Sequence, residues 1–275
     1  MLTNCKSLVD LLCETIQIIM NTENKLIVDF DFQLVINFFA GISSQGPGGE
    51  KETLKALSFL DNTSSKIKIA DLGCGTGKQT EIIASNIDCE ITAVDIAPKM
   101  IEGLNNRIKK KNLTNKVKGL VASMSELPFK KNEFDVIWAE GSIYHIGFEK
   151  GLKEWKQYLK PNGYMAITEC CWLSNQRPKD SSFITENVSE IDMISTKLKI
   201  IEDCGYKPIA HFILPEYTWI ENYHSIAKTR FQPFLEENNY SFAAKDFVER
   251  MEQEIEYYQT NKEYFGYVFF IFKNI

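Results

Sequence analysis

The stretch "KIKIADLGCGTGKQTEII", Lys66 to Ile83, decides the fold. "IKIAD" is a short apolar strand, "GCGTG" a loop of alternating glycines, and "KQTEII" the start of a helix. That order sets a flexible loop at the carboxyl end of a strand, where open α/β sheets hold their ligands. The pattern then repeats. "CEITAVD" is a second strand ending at Asp95, and "PKMIEGLNNRIKKK" a helix with Pro98 in its first turn, where the missing N–H does no harm. "KVKGLVAS" and "FDVIWAE" are a third and a fourth strand. "EKGLKEWKQYL" is a helix stopped near "KPNG", and "YMAITECCW" a fifth strand with Glu169 at its end. "ISTKLKIIEDCGY" is a helix, "KPIAHFILP" a sixth strand and "GYVFFIFKN" a seventh. Such alternation predicts an α/β fold with a parallel sheet covered on both faces.

Around this core, residues 5–20 and 31–43 have apolar residues at helical period, and "QGPGGEKETLKALSFL" is a glycine-rich turn followed by a helix. The expected organisation is an N-terminal helical cap over 1–60 and a core over 61–275. An aromatic-rich helical insertion interrupts the core at about 216–265.

Of the 275 residues 44% are apolar and 25% charged, and the formal charge is −6, which argues against a nucleic-acid partner. "RIKKK", Arg107 to Lys111, reads as the solvated end of a helix. The seven cysteines form no CxxC pair, and the neighbours Cys170 and Cys171 face opposite ways on a strand, so neither a zinc site nor a disulfide framework is expected. No run of 18 apolar residues occurs, so no membrane span is expected. A cytoplasmic protein, monomer or homodimer, is the expectation.

Three ligand classes compete for the loop. A dinucleotide fingerprint needs G-x-G-x-x-G, but Lys78 stands where the third glycine belongs. A phosphate-binding P-loop needs a glycine at Leu72 and a hydroxyl at Gln79. S-adenosylmethionine remains, with no pyrophosphate to wrap. Asp71 can face its ammonium, Gly73, Gly75 and Gly77 admit the ribose and methionine part, and Asp95 can accept both ribose hydroxyls.

"DLGCGTG" with "VD" closing the second strand resembles the class I S-adenosylmethionine-dependent methyltransferases. "SMSELPF", Ser123 to Phe129, is similar to their motif after the third strand, whose first two residues flank the adenine. "FDVIWAEGSIYHIG" and "YLKPNGYMAITE" resemble the fourth-strand motif and the turn into the fifth. The chain also resembles a group of small bacterial methyltransferases of unassigned substrate in its "QGPG", "IYHIGFEKGLKEW" and "AHFILPE" segments.

The resemblance implies a Rossmann-like seven-stranded sheet, mostly parallel with the last strand antiparallel, capped by the N-terminal helices and the insertion. It implies methyl transfer from S-adenosylmethionine to a small organic acceptor, leaving S-adenosylhomocysteine, without a metal. Cofactor-binding candidates are Asp71, Gly73, Cys74, Gly75, Gly77, Gln79, Asp95, Ile96, Ser123, Met124, Glu140 and Gln45; catalytic candidates are Glu140, Tyr144 and His145. A cofactor-binding protein without turnover and a dinucleotide-dependent oxidoreductase are the alternatives.

Overall fold

The computed structural model describes residues 31–61 and 66–275, so the helix expected over 5–20 lies outside the described residues. Two cap helices come first, α1 (Phe32–Ala40) and α2 (Glu50–Leu57). The core then runs β1 (Ile67–Leu72), α3 (Lys78–Asn86), β2 (Cys89–Asp95), α4 (Pro98–Lys110), β3 (Val117–Val121) and β4 (Phe134–Ala139). After a 3-10 turn at Ile143–His145 follow α5 (Phe148–Trp155), β5 (Leu159–Trp172), α6 (Ser182–Asn187), β6 (Asp192–Met193), α7 (Ile194–Asp203) and β7 (Tyr206–Ile213). The insertion comprises α8 (Glu216–Trp219), a π-helical turn (Ile220–His224), α9 (Ser225–Glu237) and α10 (Phe242–Asn261), and β8 (Phe265–Asn274) closes the sheet.

The sheet order is β3-β2-β1-β4-β5-β8-β7, with the two-residue β6 beside β5. β1 to β5 are parallel, and β8 is antiparallel to both β5 and β7. Strand order reverses between β1 and β4, which opens a crevice above their carboxyl ends. One sheet face packs on α2, α3 and α4 through Leu57, Ile83 and Leu104. The other packs on α5 and α7 through Phe148, Trp155 and Ile201. A third, aromatic cluster joins the cap to the insertion: Phe38 of α1 meets Phe234 at 5.2 Å and Phe247 at 5.0 Å between ring centroids.

Two local readings change. The "KPNG" segment lies inside β5, as a bulge between the Phe134–Leu159 and Val136–Tyr164 pairs, with Asn162 left-handed at φ 62°. β5 also runs on to Trp172 by pairing with β8, so Glu169 is an interior residue of the strand opposite Val268.

Candidate functional site

The glycine loop between β1 and α3 is positive in φ at Gly73 (75°), Gly75 (53°) and Gly77 (79°). Space enforces glycine as firmly as conformation does: a Cβ on Gly77 would lie 2.2 Å from Leu104 Cδ1, and one on Gly73 2.3 Å from Ser142 Cβ. The loop is tied to β2, since the N–H groups of Gly73 and Cys74 donate to Val94 O at 2.8 and 2.9 Å. Asp95, at the end of β2, accepts from Gly75 N at 3.0 Å and from Ala97 N at 2.9 Å. Burial lifts its carboxyl above the usual range, and those two N–H groups pull the other way. Asp71 is buried under the loop and accepts from Thr80 Oγ1. Burial pushes its carboxyl up to about 6.

Arg107 has a part that the sequence reading missed. It is no solvated helix end: Nε donates to Thr76 O at 2.8 Å and Nη1 to Glu81 at 3.1 Å, bracing the loop from outside. A basic residue three turns into a helix carries no local sign that it folds back over a neighbouring loop.

The cap closes on the same loop. Gln45 Nε2 donates to Ile42 O at 2.7 Å and Phe39 O at 3.1 Å, and its Oε1 accepts from Thr76 N at 3.3 Å. Both ends of that amide are engaged within the protein, so Gln45 locks cap to loop instead of presenting a free group to a ligand. Lys78 donates to Ser44 Oγ at 3.1 Å, again toward the cap.

Glu140, just past β4, is gripped at one oxygen: Oε1 accepts from Trp138 Nε1 and Thr53 Oγ1, each at 2.9 Å. Its Oε2 is buried and, among the described residues, has no hydrogen-bond partner. Burial pushes this carboxyl up to about 7. A Cβ on Gly48 would come within 3.2 Å of Glu140 Oε2 and 3.3 Å of Gln79 Nε2, so these three residues meet at one point beneath the cap.

At the other wall, Ser123 Oγ accepts from Ser125 N at 3.2 Å, and Met124 lies beside Gly73 while its carbonyl accepts from Trp155 Nε1 at 2.9 Å. Ile96 is 55% exposed next to Asp95, and Cys74 is buried with its thiol pushed up by burial. Gly141 N donates to Thr168 Oγ1 at 2.7 Å and Ser142 Oγ to Leu72 O at 2.6 Å, which fixes the start of the turn carrying Tyr144 and His145. Tyr144 is 38% exposed and His145 is also exposed. Burial raises the phenol of the first and lowers the imidazole of the second.

Glu169 does not reach the site as a strand-end group. It is fully buried against Lys197 of α7, Nζ to Oε1 3.4 Å, with the Lys197 ammonium 4.4 Å from the centre of the Phe148 ring. Burial lifts Glu169 to about 7 against the pull of Lys197. Nothing in the sequence links these two residues, which belong to different elements.

Residues 70–167 match the family model described as "Methyltransferase domain". The methyltransferase GfsG of Streptomyces halstedii is 27% identical over 131 residues, 47% of each chain. A S-adenosylmethionine-dependent methyltransferase from Thiobacillus denitrificans, solved with S-adenosyl-L-homocysteine, superposes with a TM-score of 0.76 at 18% identity, covering 88% of this chain and 98% of that one. The [4+2]-cyclase SpnF superposes at 0.70 with 15% identity, covering 88% and 91%. Residues 70–167 thus match a methyltransferase domain, and the chain as a whole has the fold of the S-adenosylmethionine-dependent methyltransferase it superposes on. It spans 33–47% of the length of the first curated relatives it matches.

Proposed function

We propose that the protein transfers a methyl group from S-adenosylmethionine to a small organic acceptor. The observation that carries this is the buried, unpartnered Glu140 Oε2 beside the glycine loop. A carboxylate there suits an ammonium and opposes a pyrophosphate, while Lys78, the cation of the loop, is turned away to Ser44.

When bound, the cofactor supplies a methyl group on a sulfonium, a carbon already open to displacement. The chain's share is to bind and align. Asp95 receives the ribose hydroxyls, Gly73, Gly75 and Gly77 let the backbone pass beneath, and Ile96, Ser123 and Met124 flank the adenine. Glu140 Oε2, with Gln79, takes the amino-acid end, while Asp71 and Cys74 form the buried floor of the loop. Tyr144 and His145 stand on the acceptor side. The cap and the insertion exclude water, and alignment of two reactants is worth roughly 7–11 kcal/mol. Among the described residues no cluster of three or more His, Cys, Asp or Glu could hold a metal ion, and none is required by this reading.

Calorimetry on the chelator-treated full chain tests the reading. S-adenosylhomocysteine should bind at one site per chain, micromolar or tighter, and NAD should not. Binding of NAD alone overturns it.

Among the described residues no helix is long and apolar enough to cross a membrane. The buried free thiols of Cys74, Cys89, Cys170 and Cys171 support a reducing, cytoplasmic setting, and the charge of −6 supports an acceptor other than nucleic acid.

A further inference from the structure

Buried polar groups without partners gather beside the crevice, where the insertion folds onto β5 and β8. His224 ends the π-helical turn, a rare geometry that recurs at functional sites. It is 2% exposed, and among the described residues neither ring nitrogen has a hydrogen-bond partner. The acid beside it is Glu254 of α10, 3.8 Å from Nε2. Trp219 Nε1 is likewise buried and unpartnered.

Aromatic faces enclose these groups. The Trp219 ring lies 5.3 Å from Tyr267 and 5.8 Å from His224, and Tyr223 lies 5.1 Å from His224. Tyr144, 38% exposed, stands two residues after Ser142, whose Cβ would lie 2.3 Å from a Cβ on Gly73, so the turn that carries it starts at the glycine loop.

The acid here that no lysine holds is Glu254, since Glu169 is paired with Lys197. Burial, and then the Glu254 and Glu169 carboxylates, raise the Tyr144 phenol, and burial and then Glu254 raise Tyr223. Of the nearby cations, Arg250 sits 4.5 Å from the centre of the Phe183 ring and donates to Gln253, and Lys197 faces Glu169 and Phe148. A carboxylate or phosphate on the acceptor would meet repulsion, whereas a cation would meet a carboxylate and several ring faces.

We propose that this recess is the acceptor subsite and that it takes a small amine, held as an ammonium by Glu254 against Tyr144, Tyr223, Trp219 and Tyr267. The inference rests on the methyl-transfer reading above. The ammonium first gives a proton to Glu254. The freed nitrogen lone pair then forms the new C–N bond as the methyl carbon–sulfur bond breaks, and that bond's electron pair stays on sulfur.

The experiment uses tetramethylammonium, a cation that cannot react. Calorimetry on the full chain first loads S-adenosylhomocysteine and then titrates tetramethylammonium. Saturable binding is expected, weakened at least about tenfold in Glu254→Gln with S-adenosylhomocysteine affinity retained. Tyr144→Leu, which removes a half-exposed ring, should weaken it as well and stands in if Glu254→Gln does not fold. In turnover assays that follow S-adenosylhomocysteine release, small amines should outpace matched alcohols, phenols and carboxylic acids. If S-adenosylhomocysteine fails to bind, the methyl-transfer reading falls, and this inference with it. If it binds but tetramethylammonium does not, or binds Glu254→Gln equally well, the amine subsite alone is overturned.

Discussion

At the carboxyl ends of β1 and β2, the polar groups answer one another: Asp95 takes two backbone N–H groups, Asp71 takes Thr80, and Arg107 braces the loop. At β5 and the insertion they do not, for Glu169 Oε2, Trp219 Nε1 and both His224 nitrogens are buried without partners among the described residues. A buried group left unsatisfied costs about 1–3 kcal/mol. The first region is built before any ligand arrives; the second carries a desolvation cost that a ligand can offset. Substitutions in the two should therefore fail differently, by lost affinity in one and by altered stability in the other.

The largest effect is expected in the second region. Lys197→Met strands Glu169 in the core and should destabilise by roughly 3–5 kcal/mol where Glu169 is ionised. The direction with pH follows from the raised carboxyl. Its ordinary value is 4.5 and the folded value about 7, so its contribution to stability is full below 4.5 and is lost as pH rises through 7. Without Lys197 the folded value climbs further, and the variant should lose more stability at pH 8.5 than at pH 5.5 in urea denaturation. Adding Glu169→Gln should flatten that dependence. A variant equally stable at both pH values would show that the pair is not coupled as its geometry indicates.

In the first region Asp95→Ala should weaken S-adenosylhomocysteine by about tenfold to several hundredfold, since each hydrogen bond to a charged group is worth roughly 1.5–3 kcal/mol. Unfolding should shift less than in Lys197→Met, because Asp95 is only partly buried. Glu140→Gln should lower affinity less, by about tenfold, and only above pH 7. The wild-type carboxyl, raised to about 7, is protonated below that pH and cannot pair with the ligand's ammonium there. Affinity in the wild type should thus rise between pH 6 and 8, and in Glu140→Gln it should stay level. A parallel rise in both proteins would remove Glu140 from the ammonium.

The first region was also the legible one. β1, the loop, α3 and β2 lie in one short stretch, and each glycine answers a local demand for positive φ or for space, so Lys66 to Asp95 could be read residue by residue. The reversal of strand direction at β8 came through the family resemblance. What stayed hidden is what depends on distant partners. Glu169 looked like a strand end because its ladder with β8, contributed almost a hundred residues later, extends β5 to Trp172. Arg107 has ordinary surroundings in sequence and Gln45 reads as a ligand contact, and only the fold brings both to Thr76. The insertion read as helix rich in aromatics, but apolar periodicity says nothing of a π-helical turn that buries His224.

The smallest effect concerns how the two regions are held together. Asn222 Nδ2, in the π-helical turn, donates to Gly48 O at 2.8 Å, and Tyr217 donates to Glu52 of α2, so the insertion clasps the "QGPG" turn. A neutral hydrogen bond contributes about 0.5–1.5 kcal/mol, and Asn222→Ala removes one such bond while the Tyr217 contact remains. Global stability should change by less than that, because the partner carbonyl can turn to water once the clasp loosens. The local opening should respond more. Amide exchange over Ser44 to Lys51 should quicken severalfold in the ligand-free variant, and S-adenosylhomocysteine, which would lie beneath the turn, should slow it in both proteins. Covers that admit two ligands must open, so release of S-adenosylhomocysteine should also be faster in Asn222→Ala, while Asp95 keeps the ribose contacts and the affinity changes little. If exchange over that segment is the same in variant and wild type, with ligand and without, then the cap is fixed by Gln45 and α1 alone. The two regions would then be joined through the glycine loop and not through the insertion.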